Sequence, residues 1–305
     1  MEIKNTEKEF PIFAGVAPGS EGVEVEYFTS EELTGEGRPK YLVEGVTVPK
    51  LIPYIPENPD GRAVVIVPGG AFKRLVMNIE GEEIAEYFNS IGVTAFVLKT
   101  RLPYHNFSNA KDVILVDVQR AMRYVRFHAK DYGIDPAKIG VAGFSAGATS
   151  AIQVSCLWDK NVYEKTDAVD EVSARPDFLL CGYPVVSWEV EKEVFATKYK
   201  KEIPDHWTLA LKDKNIHDIV RSDMPPVFIF ETDTDTTTPP ENSVELFTAL
   251  RRAKVSSEMH IFADGTHGFG LGKFVPVAGE WVDLFTAWLD RVTKCLSQSE
   301  KTPSS

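Results

Sequence analysis

The stretch KIGVAGFSAGATSAIQ, from Lys138 to Gln153, is the most informative part of this sequence. Its first half is a short apolar run that predicts a buried strand, and its second half is a row of small residues that predicts a helix. Between them, Gly143 to Gly147 fits the pattern G-x-S-x-G, in which a strand turns sharply into a helix. Such a turn strains the serine backbone and leaves no space for flanking side chains, so glycines are required. We interpret Ser145 as a nucleophile; a serine in an ordinary structural turn is the alternative.

Short β-branched runs alternate with helix-like segments on both sides of this stretch, which is typical of a mainly parallel sheet with helices on both faces. The sequence therefore predicts an α/β fold. The predicted strands are AVVIVPGG, TAFVLKT, KIGVAGF, DFLLCGYPVV, PPVFIFETD and SEMHIFADG. The predicted helices are GEEIAEYFNSIG, Ala110–Tyr132, a helix from Ala146, ENSVELFTALRRAKV and a last helix from about Gly279 to Ser297.

We expect residues 1–305 to form a single domain. Three segments of this domain do not follow the alternation of strands and helices. Residues 21–56 are short alternating pieces broken by Gly and Pro, which predict one or two antiparallel strands at a sheet edge. Residues 187–224 are polar, mixed in charge and helix-prone, and predict a cap-like helical insertion over one end of the sheet. Residues 297–305 are expected to be a frayed tail.

The composition excludes several classes of function. A formal net charge of -12 argues against nucleic acid or an anionic membrane surface as a partner. No run approaches the roughly 18 apolar residues of a transmembrane helix. Three cysteines without metal-ligand spacing are expected to be thiols in a reducing compartment. No secretory signal is visible, so a cytoplasmic location is expected, or secretion if a signal was removed.

A serine hydroxyl needs a base to take its proton and a third group to orient that base. The chain should therefore supply an acid and then a histidine at later strand ends. FIFETDTDTTTPPENS ends a strand in Asp233 and Asp235, and IFADGTHGFG ends the next strand in a loop that carries His267. Asp233 and Asp235 both remain candidates on this reasoning, whereas Asp264 is expected to form a turn.

With these residues the chain resembles the α/β-hydrolase superfamily, and specifically its carbohydrate-esterase and feruloyl-esterase branch, akin to acetylxylan esterases and more distantly to hormone-sensitive-lipase-type esterases. The resemblance runs from roughly Arg62 to Leu289. It rests on VPGGAF, GFSAG, MPPVF, DTTTPPENS and GTHGFG in that order. In such enzymes the acid lies four residues before the first proline of D-x-x-x-P-x-x-N-S, which implies Asp235.

Acyl transfer also needs N–H donors for the oxyanion of the tetrahedral intermediate. Ala146, the residue after the nucleophile, is expected to supply one. VPGGAF stands where the family has H-G-G-G-F/Y, which implies Gly70 and Ala71 as the matching donors; a purely structural glycine turn is the alternative. Pro68 in the first position is a feature of the carbohydrate-esterase branch. If the site demands a positive φ at Ala71, its Cβ costs about 1–2 kcal/mol.

Three further residues are expected to contact the substrate. Phe72 and Phe144 flank the oxyanion motif and the nucleophile, and together with the methyl group of Ala71 they are expected to narrow the acyl pocket. His105 lies in a loop that opens at the carboxyl end of the sheet. We therefore expect small acyl groups to be preferred.

The predicted function is a serine carboxylesterase that hydrolyses short acyl esters through an acyl-enzyme. The resemblance implies acetyl esters on xylan or xylo-oligosaccharides, with feruloyl esters as the alternative. A lipase or peptidase, or a non-catalytic binding protein with this fold, are weaker alternatives. No H-E-x-x-H, Cys/His cluster, G-x-G-x-x-G after the first strand or G-x-x-x-x-G-K-[ST] occurs, so no metal or cofactor is expected. The expected partner is a small-molecule or oligosaccharide ester, and the oligomeric state is left open.

Overall fold

A computed structural model describes residues 9–34, 37–212 and 215–299, without the side chains of 216, 217 and 297–299. Within these residues the main sheet has eight strands: β1 (Phe10–Pro11), β4 (Lys50–Tyr54), β5 (Ala63–Val67), β7 (Thr94–Lys99), β8 (Ile139–Phe144), β9 (Leu179–Gly182), β10 (Val227–Thr232) and β11 (Ser257–Phe262). They lie side by side in the order β1-β4-β7-β5-β8-β9-β10-β11. From β7 to β11 all neighbours are parallel, whereas β1 and β4 pair antiparallel at one edge.

The helices follow the strands in alternation. The helices are α1 (Glu83–Ser90), α2 (Val113–Phe127), α3 (Ala146–Leu157), α4 (Trp188–Val194), α5 (Asp205–Leu211), α6 (Ile216–Ile219), α7 (Glu241–Arg252), α8 (Pro276–Gly279) and α9 (Trp281–Ser299). Every residue of β5, β7 and β8 is buried, as expected for parallel strands covered on both faces. The predicted α/β fold with a mainly parallel sheet is confirmed.

Residues 21–56, predicted to contain one or two antiparallel strands at a sheet edge, contribute β4, which pairs antiparallel with β1 and β7. Within them only β4 joins the main sheet, and the outermost strand of that edge is β1, which precedes this segment. A separate antiparallel sheet contains β2 (Phe28–Leu33), β3 (Pro39–Glu44) and β6 (Leu75–Val76). All six residues of β2 are exposed, so this strand lacks the buried face that a place in the main sheet would require.

The polar stretch between β9 and β10 folds into α4, a π-helical turn at Phe195–Tyr199, α5 and α6. Trp207 of α5 packs edge-on against Phe72 in the loop after β5, with 5.2 Å between ring centroids. Lys198 Nζ donates to the carbonyl oxygen of Thr236 at 2.8 Å, in the loop after β10. These contacts place the stretch over the carboxyl ends of the parallel strands.

The last helix, α9, ends at Ser299. It therefore continues two residues beyond the Ser297 expected from the sequence. The remainder of the predicted frayed tail, residues 300–305, lies outside the described residues.

Candidate active site

Ser145 lies in a sharp turn between β8 and α3, with φ 52° and ψ −127°. The two flanking glycines are required by close backbone contacts. A Cβ built on Gly143 would lie 2.4 Å from the carbonyl oxygen of Gly147, and one on Gly147 would lie 2.1 Å from that of Val67. Real Cβ atoms do not approach backbone atoms so closely, so the turn exists only because both positions are glycine.

His267 lies in the loop after β11 and connects Ser145 to an acid. Its Nε2 is 2.8 Å from the Oγ of Ser145, and its Nδ1 is 2.7 Å from Oδ2 of Asp235. A ring nitrogen that faces a carboxylate carries the proton, so Nε2 is the free acceptor that a serine hydroxyl requires. The side chain of His267 is 19% exposed, which leaves its outer edge accessible to a substrate.

Asp235 is the acid that reaches His267. It is 2% exposed, and its Oδ1 accepts the backbone N–H groups of Thr237 and Thr238 at 2.7 and 3.0 Å. The hydroxyl of Thr238 lies 3.0 Å from Nδ1 of His267 and 3.2 Å from Oδ2 of Asp235. Asp233, the alternative acid, is exposed. The structure therefore brings Asp235 and not Asp233 to the histidine.

Asp235 and His267 each stabilise the charged form of the other. Burial alone would raise the pKa of Asp235, but the charge of His267 and the hydrogen bonds from His267 and Thr238 outweigh it, so the pKa lies below its usual value. Burial alone would lower the pKa of His267, but Asp235 and, to a lesser extent, Glu80 and Glu191 raise it above its usual value. The site thus favours an aspartate and stabilises an imidazolium.

The loop after β5 lies directly against the serine. A Cβ built on Gly69 would be 2.8 Å from the Cβ of Ser145, so only glycine allows this approach. The N–H of Gly69 is already used, because it donates to Oε2 of a buried glutamate at 2.8 Å. Among the described residues, the N–H groups of Gly70, Ala71 and Ala146 have no acceptor. These three N–H groups are therefore free to donate to a ligand, and their role as oxyanion donors stays a prediction.

The backbone of this loop is strained. Gly70, Ala71 and Phe72 have φ values of 135°, 59° and 57°. A residue with a Cβ is destabilised by about 1–2 kcal/mol at such positive φ values, so the conformation is less favourable for Ala71 and Phe72 than it would be for glycine. The conformation is held by the N–H groups of Lys73 and Arg74, which both donate to the carbonyl oxygen of Gly70 at 3.1 Å.

The two phenylalanines expected at the acyl group do not reach it. Phe144 is 0% exposed and packs among Tyr183, Phe230 and Trp281 in the core. The reason is that Phe144 is the last residue of β8 and its ring packs into the core on one face of the sheet, whereas Ser145 lies in the turn that follows the strand. The ring of Phe72 is also buried, against Trp207. The prediction that either ring lines an accessible acyl pocket is therefore wrong for this conformation.

His105 lies at the rim of the same edge of the sheet. Its ring stacks on Tyr104 with 3.9 Å between centroids, and the hydroxyl of Tyr104 donates to Oε2 of Glu44 at 2.9 Å. Burial lowers the pKa of His105, although Glu44 opposes this shift. Its Nε2 is buried and has no hydrogen-bond partner in the described part of the chain. The structure thus leaves His105 half-buried, with one ring nitrogen that makes no hydrogen bond to the described residues.

Two buried glutamates near the site were not predicted. Glu80 accepts hydrogen bonds from the N–H of Gly69 and from the hydroxyl of Tyr183. Glu191 of α4 is fully buried, and its Oε1 accepts from Asn242 at 2.9 Å; burial raises its pKa to about 7. Both lie in acidic stretches that resemble ordinary solvated helix faces, so no pattern in the sequence distinguishes them from their neighbours.

Within the described ranges, no group of three or more His, Cys, Asp or Glu side chains is arranged to hold a metal ion. No helix in those ranges is long and apolar enough to cross a membrane.

Comparison with known proteins relates the chain to a family of esterases. A family model described as BD-FAE matches residues 53–250, more than half of the chain. An acetylxylan esterase of Xylanibacter ruminicola is 29% identical over 255 residues, which are 80% of this chain and 48% of that protein. An endo-1,4-beta-xylanase B of Butyrivibrio fibrisolvens is 28% identical over 242 residues, covering 78% of this chain and 37% of that protein. The chain thus spans less than half the length of these curated relatives.

A crystal structure of an acetyl ester-xyloside bifunctional hydrolase from Caldicellulosiruptor lactoaceticus has a TM-score of 0.72 and 32% identity to this chain. The matched region covers 93% of this chain and 96% of the chain in that crystal structure. The parallel sheet and the serine turn define an α/β-hydrolase. Within that class, the chain belongs to the BD-FAE family, the α/β-hydrolase esterases of the acetylxylan and feruloyl esterase type.

Proposed function

We propose that the chain is a serine carboxylesterase that removes acetyl groups from xylan or xylo-oligosaccharides through an acyl-enzyme. The observation that carries the proposal is the continuous hydrogen-bonded chain from Ser145 through His267 to Asp235, with distances of 2.8 and 2.7 Å. In this role Ser145 is the nucleophile, His267 the general base and then acid, and Asp235 the group that orients the imidazole.

In the first half of the reaction, Oγ of Ser145 attacks the ester carbonyl while its proton passes to Nε2 of His267. The new C–O bond converts the carbonyl oxygen into an oxyanion, which accepts the N–H groups of Ala146 and of Gly70 or Ala71. The bond to the sugar oxygen then breaks, and His267 returns the proton to that oxygen. The sugar leaves as an alcohol, and the acyl group stays on the serine.

In the second half, His267 takes a proton from water, and the hydroxide formed attacks the acyl-enzyme. The same N–H donors stabilise the second oxyanion. Collapse of this intermediate breaks the bond to Ser145, whose oxygen recovers the proton, and the carboxylic acid is released. No step needs a metal ion or an organic cofactor.

The substrate class is supported by the relatives, whose names include an acetylxylan esterase and an acetyl ester-xyloside hydrolase. The exposed position of Ala71 beside the available N–H donors is consistent with a small acyl group, because its methyl group occupies space that glycine would leave open.

The mechanism is tested by labelling with a fluorophosphonate probe, which reacts with activated serines. The unmodified chain should be labelled, and Ser145→Ala should lose both the label and ester hydrolysis. Ser155→Ala is a matched control, because Ser155 is also buried in α3 and its hydroxyl donates only to the carbonyl oxygen of Ala151 at 2.8 Å. Labelling or near-normal turnover of the Ser145 variant would contradict the proposal.

The substrate is tested by measuring acetate and ferulate released from defined xylan oligomers that carry one or the other ester. Acetate release should be the faster reaction in kcat/KM. Ferulate release at an equal or higher kcat/KM would move the assignment to a feruloyl esterase while leaving the serine mechanism intact.

A further inference from the structure

Glu80 occupies an unusual place for a charged side chain. It lies in a π-helical turn, Asn78–Glu82, that leads into α1, and it is 3% exposed. Its Oε2 accepts the N–H of Gly69 at 2.8 Å, and a Cβ built on Gly69 would touch both Oε2 of Glu80 and the Cβ of Ser145. The carboxyl group therefore lies directly behind the loop that presents the oxyanion donors.

The other oxygen of Glu80 faces the histidine loop. Oε1 accepts from the hydroxyl of Tyr183 at 3.1 Å, and that hydroxyl also accepts the N–H of Gly270 at 3.2 Å. A Cβ built on Gly268, the residue after His267, would lie 3.7 Å from Oε1. A single buried carboxyl group thus connects the oxyanion loop, the end of β9 and the histidine loop.

We infer that Glu80 is a positioning residue of the esterase reaction: it fixes Gly69 behind the oxyanion donors and places a second negative charge beside His267. This inference rests on the proposed serine mechanism. Its chemical reason is that His267 becomes positively charged as it takes the serine proton, and a fixed negative charge in a buried site stabilises that cation.

Several titratable groups face this carboxyl group and the imidazole. Burial raises the pKa of Glu80, whereas His267, the N–H of Gly69, the hydroxyl of Tyr183 and Lys40 oppose that shift. The groups that raise the pKa of His267 are Asp235, Glu80 and Glu191. Both oxygens of Glu80 are hydrogen-bond acceptors, which is the pattern of an ionised carboxylate.

The first test is Glu80→Gln, which keeps the shape of the side chain and the hydrogen bond from Gly69, because the amide oxygen can accept it. The negative charge is lost, and the bond with Tyr183 reverses, because the amide nitrogen must donate to the tyrosine oxygen. The acid limb of kcat/KM against pH, which reports His267, should move to lower pH by about one unit. The value of kcat should fall about tenfold, with little change in KM. An acid limb at the wild-type position would overturn the inference.

Glu231→Gln is the matched control. Glu231 is another fully buried glutamate, whose oxygens accept from the N–H of Thr232 and the hydroxyl of Ser243. It is not among the groups that shift the pKa of His267. This variant should keep the wild-type acid limb; a shift equal to that of Glu80→Gln would show a general effect of buried charge and would overturn the inference.

Glu80→Asp distinguishes the effect of the position of the carboxyl group from the effect of its charge. It also tests the inference if Glu80→Gln does not fold. The shorter side chain keeps the charge but withdraws from Gly69, so kcat should fall about tenfold to a hundredfold while the acid limb stays in place. A wild-type kcat in this variant would contradict the positioning role.

Failure of the inference and failure of the proposed function are distinguishable. If Ser145→Ala keeps probe labelling or turnover, the serine mechanism is wrong. If Ser145→Ala is inactive and Glu80→Gln keeps the wild-type acid limb, only the role of Glu80 is wrong.

Discussion

Replacement of Asp235 by Asn tests the proposed site most sharply, because it changes one atom in a defined hydrogen-bond network. The amide oxygen of Asn can still accept the N–H groups of Thr237 and Thr238, which Oδ1 accepts now. The amide nitrogen then faces Nδ1 of His267, where Oδ2 lies at 2.7 Å. An N–H group there donates to Nδ1 and forces the ring proton onto Nε2, so Nε2 can no longer accept the proton of Ser145.

The size of the effect follows from this tautomer change. A base held in the wrong tautomer lowers kcat about 10⁴-fold in enzymes with the same arrangement. That factor corresponds to about 5 kcal/mol of lost transition-state stabilisation. The fold should survive, because the two backbone hydrogen bonds of the acid loop remain and the side chain keeps its volume.

The assay is kcat and KM for an aryl acetate, with the melting temperature measured on the same samples. Asp233→Asn is the matched control, since Asp233 lies two residues earlier in the same loop and is exposed; its kcat should stay within about twofold of wild type, as for most surface substitutions. A loss below about tenfold for Asp235→Asn, or an equal loss for Asp233→Asn, would refute the assignment of the acid.

The remaining predictions concern pH, packing and acyl size. His267 must be neutral to act as a base, and its pKa is raised in the fold. The acid limb of kcat/KM against pH should therefore lie above the reference histidine pKa of about 6.5. An acid limb well below that pH would contradict the pKa shift. Gly147→Ala brings a Cβ to 2.1 Å from the carbonyl oxygen of Val67 and should cost about 3 kcal/mol in the free energy of unfolding, whereas Gly15→Ala, which meets nothing within 4 Å, should cost little. Ala71→Gly should raise kcat/KM for hexanoyl relative to acetyl esters by about tenfold; an unchanged ratio would show that the methyl group does not limit the acyl chain.

The parts of the fold that depend on local pattern could be predicted from the sequence. The serine turn is one example, because the glycines at 143 and 147 are needed by contacts under 2.5 Å that no other residue allows. The parallel strands are another, because burial on both faces produces uninterrupted apolar runs. In both cases the physical constraint selects the residue types of one short continuous stretch, even where the contact itself is with a distant residue, as between Gly147 and Val67.

Contacts between distant segments that no motif marks could not be predicted. Glu80 lies among Glu82, Glu83 and Glu86, and only the folded chain shows that its partner is Tyr183. The placement of β2 is a second example: this segment has the alternation of a strand, but the sheet that it joins is determined by its pairing with β3. Hydrophobic periodicity and composition characterise a segment by itself, and they do not identify the segment against which it packs.

The polar stretch between β9 and β10 has a role that neither its charge nor its helical pattern indicates. Ala71 and Phe72 hold a strained backbone, and strain persists only where the surroundings determine the conformation. Part of that support comes from Trp207 of α5, which packs against the ring of Phe72. On the other side of the serine, Lys198 is hydrogen-bonded to the loop that carries Asp235. The stretch therefore connects the loop of the oxyanion donors to the loop of the acid, so substitutions that loosen it should reduce kcat.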